Sequence, residues 1–302
     1  MGLLKQSYAA LCLAALSLTA ASCGNDDKDN LKLGFKNPSD SFRPADGDTT
    51  RTAQLRRDFY NETGIYLLFT DTLQHEYVGN DINGDPQYFT EKLDITYNVG
   101  QTHSNDASYT YVYIDKYDDR QKIADFARDY LLNHITGRLR PYSIFCSRII
   151  TGVNNRGTTI RPVALTNQRC IVIAGSYLLS RNRTDAEKKN YAQSLINSII
   201  SQLAQNSINE FSSFFNYSSR YYGASYGQLG IDGTEEELKA YGFVGTPALS
   251  NCPSQSDDLG LYASMAVRYT TEEIESKYAD YPIIINKFKA LRQILCDLGY
   301  VF

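Results

Sequence analysis

Apolar positions along the chain follow two periods, and each predicts elements. Ile65–Phe69 is a short apolar run after Gly64 and reads as a buried strand. Leu93, Ile95 and Tyr97 alternate with polar residues and predict a half-buried strand. Tyr109, Tyr111 and Tyr113 repeat that period, weakened by Val112. Ile144–Ile150 and Cys170–Ala174 read as strands or apolar connectors, the second the better strand for its Ile171-Val172-Ile173. Ile123, Phe126, Ala127, Tyr130 and Leu131 stand at helical spacing, and Gly137 can end that helix. A longer helix starts at Thr184, where Thr184 and Glu187 have the spacing of a capping box. Its face runs through Leu195, Ile196, Ile199, Ile200, Leu203, Ile208 and Phe211. Thr234 with Glu237 and Thr270 with Glu273 repeat the box. After Pro282 a last helix carries Ile284, Phe288, Leu291 and Leu295. The sum is an α+β chain with a small sheet and a helix-rich C-terminal half.

Before this region the pattern changes. Ala9–Leu18 is apolar except for Ser17, follows Lys5, and is too short to span a bilayer, so it reads as a secretion signal. Ala20-Ala21-Ser22 before Cys23 resembles a bacterial lipobox, which implies a signal peptide over 1–22 and lipid on Cys23. The acidic Gly24–Asn30 stretch resembles the surface-export signal of Bacteroidetes lipoproteins. With the polar residues that follow, it predicts a tether over 23–52 and a single domain over 53–302. Acylation at Cys23 implies membrane attachment, at the outer membrane and surface-exposed, or facing the periplasm.

Composition removes several classes. The 302 residues hold 30 Lys+Arg and 34 Asp+Glu, a net charge of −4, which argues against a nucleic-acid binder. Cys146, Cys170, Cys252 and Cys296 show no C-x-x-C spacing, so a zinc ribbon or thioredoxin motif is excluded and the pairing is open. No G-x-S-x-G elbow, phosphate loop or dinucleotide fingerprint occurs. Asp257 and Asp258 read as helix-capping residues or calcium ligands, capping foremost.

The order of elements, with Leu139-Arg140-Pro141-Tyr142 and Tyr241-Gly242-Phe243-Val244-Gly245-Thr246-Pro247, resembles the zinc metallopeptidase lipoproteins of Bacteroidetes that accompany SusC/SusD-type uptake systems. The resemblance implies a zincin (gluzincin)-like fold. In that family the central helix carries H-E-x-x-H, two histidines for zinc and a glutamate to activate water. Here the matching stretch is Ser201-Gln202-Leu203-Ala204-Gln205, and the further acidic ligand falls near Leu261. The resemblance therefore implies a degenerate member with no catalytic residues and no zinc. His75-Glu76-Tyr77-Val78-Gly79 begins like the motif but lacks the second histidine. His103 lies in a polar loop, and His134 near a helix end.

Three functions compete. The first is a binding protein that keeps the fold without the metal, with Tyr221, Tyr222 and Tyr226 along a groove for a peptide or glycan. Tyrosines suit such a groove, because each joins a flat apolar face to a polar tip; packing of their loop onto the core is the plainer alternative. The second is an active zinc hydrolase with a rearranged site, for example His75 with His134. The third is a structural accessory docked on a TonB-dependent transporter and its SusD-like partner.

Overall fold

The computed structural model describes residues 41–95, 109–154, 157–167, 169–206, 208–245 and 250–302. The expected signal peptide, Cys23, the expected tether up to residue 40, Tyr97, His103, Thr246 and Pro247 lie outside the described residues. Ser41–Phe302 forms one compact unit.

Among the described residues, packing already involves chain upstream of Ala53, the expected domain start. Phe42 is buried in the core, and Thr50 caps helix α1 (Arg51–Thr63), accepting from the Ala53 N–H. Arg56 ties the two together: it donates to the carbonyls of Phe42 and Leu67, each at 2.7 Å.

The central sheet has the order β1-β5-β9-β8, with β1 (Tyr66–Leu68), β5 (Ser143–Ser147) and β9 (Cys170–Ala174) parallel and β8 (Ala164–Thr166) antiparallel at one edge. These strands are buried along their whole length, as expected where both faces of a sheet are covered. Side chains alternate between two cores. Leu67, Ile144, Cys146, Ile171 and Ile173 join the helical layer. Tyr66, Leu68, Phe145, Cys170 and Val172 meet Phe42, Leu93 and Ile95 on the opposite face.

Two further strand groups complete the β structure. The hairpin β2 (Thr72–Asn80) and β3 (Pro86–Lys92) pairs antiparallel. A small antiparallel sheet holds β4 (Tyr109–Val112), β6 (Ile149–Val153) and β7 (Thr159–Ile160). The single run expected over 144–150 is thus two strands in different sheets. Arg148 stands between them, its N–H donating to the Val112 carbonyl at 2.7 Å. Leu93 and Ile95 are buried as expected but lie beyond the end of β3 in irregular chain; Leu93 N–H bonds Asp71 O at 2.6 Å.

The helical layer contains α2 (Tyr117–Phe126), α3 (Ser176–Leu179), α4 (Asp185–Asn206), α5 (Ser212–Phe215), α6 (Tyr226–Leu229), α7 (Glu235–Ala240), α8 (Gln255–Ala266), α9 (Thr271–Lys277) and α10 (Pro282–Leu298). The helix expected from residue 123 onward buries the predicted positions but changes form: after Phe126 comes a π-helical turn (Ala127–Leu131), then a 3-10 turn (Leu132–His134). The three expected capping boxes form, and a fourth joins Ser225 to Gln228. Helix α4 ends at Asn206, short of Phe211, and Ile208 is exposed, because a separate 3-10 turn turns it outward. Cys146, Cys170 and Cys252 are buried free thiols, while Cys296 is exposed. Burial pushes the Cys170 thiol up to about 12, so it acts as a small apolar group.

Candidate functional site

Helix α4 lies against the edge strand β8, and its Gln202 occupies that edge. The Nε2 of Gln202 donates to Ala164 O at 3.0 Å, and its Oε1 accepts from Thr166 N–H at 3.0 Å. Ala164 O also accepts from Ser198 Oγ at 3.3 Å. A strand added beside β8 would use the same carbonyl and the same N–H. One carboxamide therefore supplies the donor and acceptor that an open edge lacks. Carboxamide chemistry fits because it offers both roles from one neutral group.

These bonds bear on the positions aligned with the zinc motif. Gln202 has both polar atoms engaged by β8. Ser201 offers a neutral hydroxyl, and Leu261, exposed on α8, offers only hydrocarbon. The Gln205 side chain lies outside the described residues. This donor set does not fit a zinc ion, which takes thiolate, imidazole or carboxylate. Among the described residues, no three His, Cys, Asp or Glu side chains gather where they could hold a metal.

A second polar centre lies deeper, between α8 and α10. Lys287 Nζ and Asp258 Oδ2 are 2.6 Å apart and both side chains are fully buried. Lys287 also donates to Ser218 Oγ at 2.9 Å and to Gly242 O at 3.0 Å. Its ammonium lies about 5 Å from the ring centres of Phe214, Phe243 and Tyr262. Tyr222 Oη donates to Asp258 Oδ2 at 2.7 Å, but Asp258 Oδ1 has no partner among the described residues. Burial pushes the Asp258 carboxyl up and the Lys287 ammonium down, each against the attraction of the other. Gly242, at φ +80°, brings its carbonyl to this centre; a Cβ there would meet Ile283 Cγ2 at 2.5 Å.

The tyrosines expected along a groove are engaged in packing. Tyr226 is 6% exposed within a cluster containing Leu238, Phe243 and Cys252. Tyr222 turns its hydroxyl into the buried pair, and Tyr221 packs edge-on against Tyr241. These are packing contacts, and they leave Tyr221 and Tyr222 half-buried. The cap of α8 is Ser254, whose Oγ accepts from the Asp257 N–H and donates to Asp257 Oδ2; neither Asp257 nor Asp258 takes the capping role expected of it, and Asp258 belongs to the buried pair.

His75 and His134 stand on different elements. His75 lies on the hairpin, its Nδ1 2.8 Å from Thr90 Oγ1 and its ring stacked on Tyr88. His134 Nδ1 is 2.9 Å from Val301 O. Sequence reasoning missed Lys287. A signal was present, since 284, 287, 288 and 291 share one helical stripe and only 287 is charged.

Comparison of the chain with protein-family models, curated proteins and solved structures finds no match.

Proposed function

We propose that this chain is a surface-exposed lipoprotein with a zincin-like fold that works without a metal, as a ligand-binding or accessory component of a SusC/SusD-type uptake system. The observation that supports this reading most is the engagement of Gln202. The residue aligned with the water-activating glutamate is a neutral amide with both polar atoms bound to β8. A carboxamide cannot take a proton from water as a carboxylate does. The lipobox-like Ala20-Ala21-Ser22-Cys23 and the acidic residues after it support the membrane attachment and the surface location.

The test is metal content and peptide hydrolysis of protein purified from zinc-supplemented medium. The expected result is no stoichiometric zinc and no chelator-sensitive cleavage. One zinc per chain, released together with a peptidase activity, contradicts the reading.

A further inference from the structure

Two openings share a wall made by Asp129 and Tyr130. Both residues belong to the π-helical turn Ala127–Leu131. Such a turn inserts a residue, re-aims the side chains around it, and recurs at functional sites. The smaller opening, about 270 Å³, sets Lys122, Arg181, Arg183 and Lys188 against Asp125 and the shared Asp129. The larger, about 680 Å³, adds Lys189, Arg268 and Arg292 against Asp185. Its volume suits a small organic ligand.

Basic groups prevail here although the whole chain carries −4. Some are neutralised in place: Arg181 and Arg183 by Glu187, and Lys189 by Asp185 at 3.1 Å. Lys122, Lys188, Arg268 and Arg292 form no ion pair among the described residues. Arg292 is committed to the fold, because it donates to Ala266 O and Tyr269 O and lies over the Phe302 ring. Lys122 and Arg268 have no paired carboxylate among the described residues, and Lys188 stands in the field of Asp185 and over the Tyr130 ring without an ion pair of its own; an anionic ligand would neutralise this charge.

The remaining lining narrows the class. Tyr269 and Phe302 are each 41% exposed and offer flat apolar surfaces. Asn133 and Gln193 donate their amide N–H groups to Asp129 O and Val267 O, which leaves their amide oxygens as acceptors. Rings for stacking, acceptors for hydroxyl groups and cations for acidic substituents together match a sugar chain that carries carboxylate or sulfate. An extended peptide would instead seek an open strand edge, and at β8 Gln202 fills that edge.

We propose that the two openings form one binding site for an acidic oligosaccharide, with Lys122, Lys188 and Arg268 holding its anionic groups. This rests on the reading of the chain as a protein that binds without cutting. The test is calorimetric titration of the full chain with a hexagalacturonate, a chondroitin sulfate hexasaccharide and neutral maltohexaose, at low and high salt. One acidic hexasaccharide should bind at least about tenfold more tightly than maltohexaose, and high salt should weaken it. Hexagalacturonate carries carboxylates alone and chondroitin sulfate carries carboxylates and sulfates, so binding of the second without the first assigns a need for sulfate, and binding of the first shows that carboxylate suffices.

A Lys188→Ala/Arg268→Ala protein with an unchanged melting profile should bind about tenfold more weakly or worse. Tyr269→Ala, which removes no charge, should weaken binding while leaving its salt dependence in place. Equal affinity for maltohexaose, unchanged binding by the double variant, or binding of polyglutamate in place of every hexasaccharide overturns the assignment. Release of new reducing ends from a bound hexasaccharide would overturn the non-cutting reading and leave the site standing.

Discussion

Gln202 on α4 and Asp258 on α8 are acceptors on neighbouring helices, and their surroundings treat them differently. Gln202 is half-buried and neutral, and each polar atom meets a backbone group of β8. Asp258 is fully buried, is held by Lys287 and Tyr222, and still leaves Oδ1 without a partner among the described residues. An amide can match a strand edge with no charge to desolvate. A carboxylate needs a cation, and the pair must be stripped of water together. The first arrangement contributes stability; in the second, desolvation offsets much of the attraction.

The largest expected effect breaks the charged centre. Asp258→Ala leaves Lys287 buried without its partner and should lower stability by about 3–5 kcal/mol. Replacing both residues, as Asp258→Leu/Lys287→Met, should recover most of that loss, because the fold then holds no unpaired charge. Urea denaturation of the three proteins checks this; a double variant as unstable as Asp258→Ala contradicts it.

At the neutral centre the effect is smaller. Gln202→Ala strips Thr166 N–H and Ala164 O of their shared partner and should lower stability by about 1–3 kcal/mol, read from the same denaturation. Ser198 still reaches Ala164 O, which softens the loss.

The smallest effect lies at the start of α4, which carries Gln202. The Thr184 N–H, with Arg183 and Arg181, holds the Glu187 carboxyl down at about 2, against an ordinary value of 4.5. Its contribution to stability is present above pH 4.5 and fades as pH falls from 4.5 toward 2. Glu187→Gln should flatten that part of the stability profile, as thermal melts across pH can show.

Much of the fold was legible because local chemistry and burial agree there. Threonine and glutamate three apart specify the caps of α4, α7 and α9, and Ile171-Val172-Ile173 specifies a strand covered on both faces. The hairpin β2–β3 was not legible, since its residues are mostly exposed and carry no apolar alternation. Helix α1 buries only Ala53, Leu55 and Phe59, a spacing too sparse for a helical stripe. The site was legible only as residue types. Ser201 and Gln202 could be named as poor metal donors, but the β8 partner of Gln202 arises from a tertiary contact 36 residues away. Asp258 read as a helix-start residue because its partner Lys287 comes from another helix.

Residue-resolved hydrogen exchange at Thr166 tests the central claim most directly, in the native chain and in Gln202→Ala, with and without zinc. The account predicts a slow Thr166 amide in the native chain, fast exchange once Gln202 is removed, and no response to zinc. A Thr166 amide indifferent to the substitution, or amides around Ser201 that slow when zinc is added, would contradict it.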